Sequence, residues 1–129
     1  MQSKEKVRKK FILIRKKKYF SVKKIFFKPL IKLIKKRKKK NLSLYYPSNC
    51  EVDTRKLFDI LKINKNFITS LPVIFSKREM KFIRWKMHDP LKVNEYGFLE
   101  PVVIRQTTNP DVIILPLLAY DGSRNRLGY

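Results

Sequence analysis

The segment Pro110–Tyr120, PDVIILPLLAY, is almost unbroken in apolar side chains. At this length it is too short for a membrane span, which needs about 20 residues. It lacks the alternation of a half-solvated strand, so it predicts a strand buried on both faces, as in a parallel sheet. A parallel sheet needs helical crossovers, which places the chain among α/β folds. The run ends in DGSRNRLGY, residues 121–129. A strand feeding a Gly- and Arg-containing loop is a common way to hold phosphate. Gly122 and Gly128 permit close backbone approach, and Arg126 offers a charged fork to phosphate oxygens. A full Walker pattern with terminal Gly-Lys-Ser/Thr is absent.

The rest of the chain agrees with that class. Residues 4–18 predict a helix with Val7, Phe11 and Ile14 near one face. A second helix is expected from a Ser21 cap to about residue 38. Its apolar face is Val22, Ile25, Phe26, Leu30, Leu33 and Ile34, and Pro29 kinks or splits it. NLSLYYP (41–47) predicts a first strand. Asp53 or Thr54 caps a short helix, RKLFDILKI, with Leu57, Phe58, Ile60 and Leu61 inward. FITSLPVIF and EMKFIRWKM predict two more strands, and residues 88–101 a loop with turns at Asp89-Pro90 and Gly97.

The net charge of +22 is unevenly spread. Residues 1–40 hold 19 Lys/Arg against one acid, and residues 41–129 hold 13 against nine. Lysines outnumber arginines 23 to 9 and fall where a helix meets solvent. Lysine-rich exposed faces account for this without a dedicated partner. A polyanion-binding arm and a membrane-surface helix are the alternatives. In each case the positive field attracts anionic small molecules such as nucleotides. The length suits one domain with a real core. Cys50 is the sole cysteine, so no internal disulfide forms. The N-terminus has no signal-peptide pattern, and the expected location is cytoplasmic.

Conventional catalytic clusters are missing. His88 is the sole histidine and reads as a solvent-facing loop residue. Cys50 has no activating base and reads as a small semi-buried residue. No metal-ligand spacing is present. Three places remain. Lys4 and Arg8 share a helix face and can clamp a phosphate. Glu51 follows a strand end and a Pro turn, at the sheet edge where ligands bind. It can accept hydrogen bonds from an amino-pterin type ring, or serve as an acid at a helix N-terminus. The third place is the Gly/Arg loop.

These pieces, in order, resemble one family. KEKVRKKFILIRKK resembles the N-terminal helix of the 5-formyltetrahydrofolate cyclo-ligases (5,10-methenyltetrahydrofolate synthetases). LYYPSNCEVDT resembles their YYP...E.DT element, and SLPVIFSKREMKFIRWKMHDPL their central strands. YGFLEP resembles their G..EP loop, and DVIILPLLAYDGSRNRLGY the start of their D..G.RLGYGGGYYDR segment.

The resemblance implies a three-layer α/β/α sandwich related to the NagB/RpiA/CoA-transferase group. Basic N-terminal helices span 4–38 and an α/β core spans 41–129, in one domain. It implies ATP-dependent conversion of 5-formyltetrahydrofolate to 5,10-methenyltetrahydrofolate, with release of ADP and phosphate and with Mg2+ as cofactor. Carried over by position, Lys4, Glu5, Lys6, Val7 and Arg8 would contact ATP. Arg126, Leu127, Gly128 and Tyr129 would begin the phosphate loop. Tyr46, Glu51 and Tyr129 would contact the folate. Trp85 could face the pterin, but reads first as a core or sheet-face aromatic. No catalytic residue is assigned. The GGGYYDR continuation, with its metal-binding Asp, would lie past Tyr129, so a C-terminally incomplete domain is expected. The implied protein is a monomer acting on small molecules, without membrane or nucleic-acid partners. The alternative is an inactive fragment that binds nucleotides or nucleic acid through its basic surface.

Overall fold

The computed structural model describes residues 2–102 and 106–128. Helix α1 spans Lys4–Lys18. Ser3 starts it by accepting a hydrogen bond from the Lys6 N–H. Glu5 in the first turn and Arg15–Lys18 in the last complement the helix dipole. None of its residues is fully buried, and Val7, Phe11 and Ile14 are half-buried.

The expected second helix is split. A 3-10 turn covers Lys24–Phe27, and α2 covers Lys28–Lys36 with Pro29 in its first turn, where its missing N–H costs nothing. Ser21 does not cap it; its hydroxyl accepts from Lys56 Nζ. The 3-10 turn changes the angular phase, which reorders the predicted face. Val22, Phe27 and Ile34 are buried, whereas Ile25 is 72% exposed and Phe26 and Leu33 are also exposed.

Strand β1 (Asn41–Ser43), helix α3 (Arg55–Ile63) and β2 (Ile68–Ser76) form a βαβ unit, with β1 and β2 parallel. Asp53 and Thr54 divide the capping of α3. The Asp53 carboxylate accepts the Arg55 N–H at 3.0 Å, while the Thr54 hydroxyl donates to the Tyr45 carbonyl at 2.6 Å. Strand β3 (Glu79–Arg84) runs antiparallel to β2, and β6 (Val112–Ile113) runs parallel to β1. The sheet order is β3-β2-β1-β6. Asp111 ties β6 to β1 by accepting from the Asn41 N–H and donating its own N–H to the Asn41 carbonyl.

Register separates the two faces, because cross-strand partners point the same way. Leu42, Leu71, Ile83 and Val112 share one face with Leu44 and Trp85. There they meet Val22, Phe27, Ile34, Leu57, Phe58 and Leu61 from the helical layer. Trp85 packs edge-on against Phe58 at 4.9 Å and Tyr46 at 6.0 Å, and its indole N–H donates to the Asp89 carbonyl. It is therefore a core residue. The opposite face carries Ser43, Ser70, Pro72, Ile74, Met80, Phe82 and Ile113.

Three strand expectations change. NLSLYYP pairs only through Ser43, with one further bond from the Leu44 N–H to Ser70. Residues 88–101 form a hairpin of β4 (Leu91–Val93) and β5 (Leu99–Pro101). Its turn rests on the Asn94 carboxamide oxygen, which accepts the Tyr96 and Phe98 N–H groups, and on Gly97 at φ +80°. The run 110–120 is not one buried strand. Only Val112–Ile113 pairs with the sheet; Ala119–Tyr120 (β7) turns back on Arg126–Leu127 (β8). Ile113 and Leu115 are 45% and 48% exposed. No helix among the described residues is long and apolar enough to cross a membrane.

Candidate functional site

The C-terminal ends of β1 and β6 open into a cavity of about 690 Å³, within the size range of small-molecule sites. Ser43, Pro72, Ile74 and Phe82 form its floor. The walls are the 45–51 loop, the β4–β5 turn with Phe98 and Leu99, and the Ile113–Pro116 segment. Tyr46, Glu51, Arg126 and Gly128 all border this space. Four predicted residues from two distant parts of the sequence therefore converge.

Tyr46 and Glu51 are set by one tight turn. Asn49 and Cys50 both have positive φ, and the Glu51 N–H donates to the Ser48 carbonyl at 2.9 Å. The Ser48 N–H returns a bond to the Glu51 carboxylate, also at 2.9 Å. Two successive non-glycine residues in the left-handed region are costly and recur at binding sites. Glu51 is only 7% exposed. Burial pushes its carboxyl above the ordinary range, opposed by the Ser48 bonds and the positive charge of Arg15. Cys50, expected semi-buried, is exposed, and His88 is exposed as expected.

The Gly/Arg loop is a closed hairpin. The Asp121 carboxylate accepts the Ser123 and Asn125 N–H groups and the Asn125 side chain. Arg124, not a glycine, takes the positive φ. A Cβ at Gly122 or Gly128 would meet nothing within 4 Å, so neither glycine is required by its surroundings here. Arg126 on β8 is exposed and borders the cavity. Leu127 accepts the Leu118 N–H at its carbonyl. Tyr129 lies outside the described residues.

Helix α1 reaches the same place through Arg8, whose Nε donates to the Gly128 carbonyl at 3.1 Å. Lys4, Glu5 and Lys6 stay exposed, and Glu5 pairs with Lys9 on the helix surface. Among the described residues no three His, Cys, Asp or Glu side chains group as a metal site.

Two contributors escaped the sequence argument. Arg15 donates to the Leu117 carbonyl and, with Tyr45 and Glu51, lines a smaller hollow of about 390 Å³ beside α1. Its signal was the seven-residue spacing from Arg8. Phe98 and Leu99 were assigned to a loop, although NEYG (94–97) carries turn chemistry. A further hollow of about 660 Å³, beside Trp85 and Thr69 at the N-terminal end of β2, contains none of the residues carried over as ATP or folate contacts.

The sequence profile of the 5-formyltetrahydrofolate cyclo-ligase family matches residues 1–129. A 5-formyltetrahydrofolate cyclo-ligase of Haemophilus influenzae is 36% identical over 105 residues, covering 76% of this chain and 55% of that protein. The chain thus spans about half the length of this curated relative. The NMR structure of Aquifex aeolicus 5,10-methenyltetrahydrofolate synthetase superposes with a TM-score of 0.68 at 28% identity. It covers 98% of this chain and 66% of that one. A 5,10-methenyltetrahydrofolate synthetase from Mycoplasma pneumoniae shares the fold, with a TM-score of 0.66 at 22% identity, covering 99% and 72%. The chain belongs to the 5-formyltetrahydrofolate cyclo-ligase family.

Proposed function

We propose that this chain forms the folate-binding and part of the ATP-binding machinery of a 5-formyltetrahydrofolate cyclo-ligase. The overall reaction converts 5-formyltetrahydrofolate and ATP to 5,10-methenyltetrahydrofolate, ADP and phosphate. The terminal phosphoryl group passes to the formyl oxygen, N10 attacks the activated carbon, and phosphate departs with that oxygen. In such transfers the protein contributes positioning and charge stabilisation.

One observation carries this reading: Tyr46 and Glu51 border the same cavity as Arg126 and Gly128, and Arg8 is bonded to Gly128. The apolar floor suits a flat ring, and the Glu51 carboxylate suits its N–H donors. Arg126 suits phosphate oxygens, with Lys4 and Arg8 adding positive charge from α1. Family membership weighs against the alternative of a basic nucleic-acid-binding fragment. The test is absorbance at the methenyl-folate band with 5-formyltetrahydrofolate and Mg-ATP. Both the 129-residue chain and a form extended to the length of its relatives are assayed. ATP-dependent product in either supports the reading, and none in either overturns it.

A further inference from the structure

Helix α1 carries two arginines seven residues apart, Arg8 and Arg15. At 3.6 residues per turn, that spacing returns them to nearly the same face. Each donates to a main-chain carbonyl of the C-terminal segment: Arg8 to Gly128 and Arg15 to Leu117. Between those carbonyls lies the β7–β8 hairpin, closed by the Leu118 N–H to Leu127 bond and carrying Arg126. No residue of α1 is fully buried, and these two bonds tie the helix to the main chain on either side of that hairpin.

We infer that Arg15 is a positioning residue for the proposed reaction, tethering the segment that leads into the hairpin presenting Arg126 and supplying the charge that balances Glu51. This rests on the cyclo-ligase reading. Arg15 lines the hollow beside α1 together with Lys18, Tyr45, Cys50 and Glu51. Glu51 also borders the main cavity, whose lining includes Arg126. Arg15 therefore acts on both halves of the site: on the hairpin by a hydrogen bond, and on the carboxylate by charge. In support, its guanidinium opposes the upward effect of burial on Glu51. It also opposes the burial and the Glu51 charge that push the Tyr45 phenol up to about 12.

The experiment compares wild-type, Arg15→Met and Arg15→Lys in the catalytically complete protein. The readouts are KM for each substrate, the pH dependence of kcat/KM for 5-formyltetrahydrofolate, and amide exchange in residues 117–128. Loss of a charge-assisted hydrogen bond should raise the KM for ATP in Arg15→Met about tenfold. Exchange across 117–128 should accelerate while β1–β3 keep their protection. The acid limb of kcat/KM should move to higher pH, because Glu51 loses the cation that favours its ionised form. Arg15→Lys should restore the acid limb. Wild-type exchange and an unmoved acid limb in Arg15→Met would overturn the inference, as would equal displacement of the limb in both variants. If Arg15→Met does not fold, the exchange of Arg15→Lys decides: acceleration confined to 117–128 supports the tether and wild-type exchange overturns it. If the wild-type protein makes no methenyl product, the cyclo-ligase reading fails. Exchange in the variants still decides whether Arg15 holds the hairpin.

Discussion

The two faces of one sheet are built for different purposes. On the helical side, Leu42, Leu44, Leu71, Ile83 and Trp85 are almost wholly removed from water. On the other side, the same strands offer the small side chain of Ser43 and the apolar Pro72, Ile74 and Phe82 as a cavity floor, with Ser70 on the same face. Both serines spend their hydroxyls on the sheet itself: Ser43 donates to the Ser70 carbonyl and Ser70 to the Leu42 carbonyl. Hydrophobicity alone therefore does not separate core from site. Register does, because a one-residue step along a strand exchanges the faces.

The contrast breaks most visibly on the helical side. Phe58→Ala removes a fully buried ring packed against Trp85, and should cost about 3–5 kcal/mol in denaturant unfolding. Ile113→Ala, on the cavity side and nearly half exposed, should cost only about 1 kcal/mol. Equal losses would mean that both faces serve stability alike. Arg126→Ala should reverse the pattern. Arg126 is exposed, so unfolding should barely change. Losing a charged donor to phosphate should raise the KM for ATP by roughly 10- to 100-fold, or about 1.5–3 kcal/mol. An unchanged ATP dependence would remove Arg126 from the nucleotide site.

Locally determined features were legible in the sequence. Helices α1 and α3 follow from apolar periodicity and capping side chains, and the split at Pro29 follows from its missing N–H. Features that depend on distant partners were not. The run 110–120 looked like one strand because apolar residues that line a cavity resemble residues that fill a core. Pro116, with no N–H to give a ladder, marks where the sheet ends. Ile25, Phe26 and Leu33 were placed inward because a continuous helical phase was assumed through the 3-10 turn. Glu51 and Arg126 were legible from a Pro turn at a strand end and from the Gly/Arg loop, Tyr46 only through family likeness, and their convergence is a property of the fold. Arg15 was hard to single out among 19 basic residues in the first 40: its seven-residue spacing from Arg8 is a weak signal, and the contact with Leu117 is what sets it apart.

Glu51 sharpens the comparison next. Glu51→Gln keeps an acceptor for the Ser48 N–H and removes the buried charge. The KM for 5-formyltetrahydrofolate should rise about tenfold, the value of one hydrogen bond to a charged group, with the KM for ATP unchanged. Equal loss for both substrates would assign Glu51 a structural role.

The smallest effect concerns Asp53, two residues further on and turned toward the helical face. Its carboxylate accepts the Arg55 N–H and pairs with the Arg55 guanidinium at 2.8 Å, which holds its pKa below the ordinary range. Glu51 is shifted the opposite way by burial, so the two neighbours should give opposite pH signatures. For Asp53 the unfolded chain binds the proton more readily. Its contribution is complete above the ordinary value of 3.8 and fades as pH falls through the lower folded pKa. For Glu51 the folded chain binds the proton more readily, so stability declines as pH rises from 4.5 through the raised folded pKa. Asp53→Asn should therefore lose about 0.5–1 kcal/mol at neutral pH, the lower part of the capping range. Half of the Arg55 side chain is exposed, and solvent screens the pair. The deficit should vanish in acid. Glu51→Gln should be no less stable than wild-type at neutral pH and lose any advantage in acid. Unfolding curves of both variants at neutral and acidic pH read this directly. Two deficits that run in parallel with pH would mean that the loop has a single environment, and that the division between cavity and helix does not pass between residues 51 and 53.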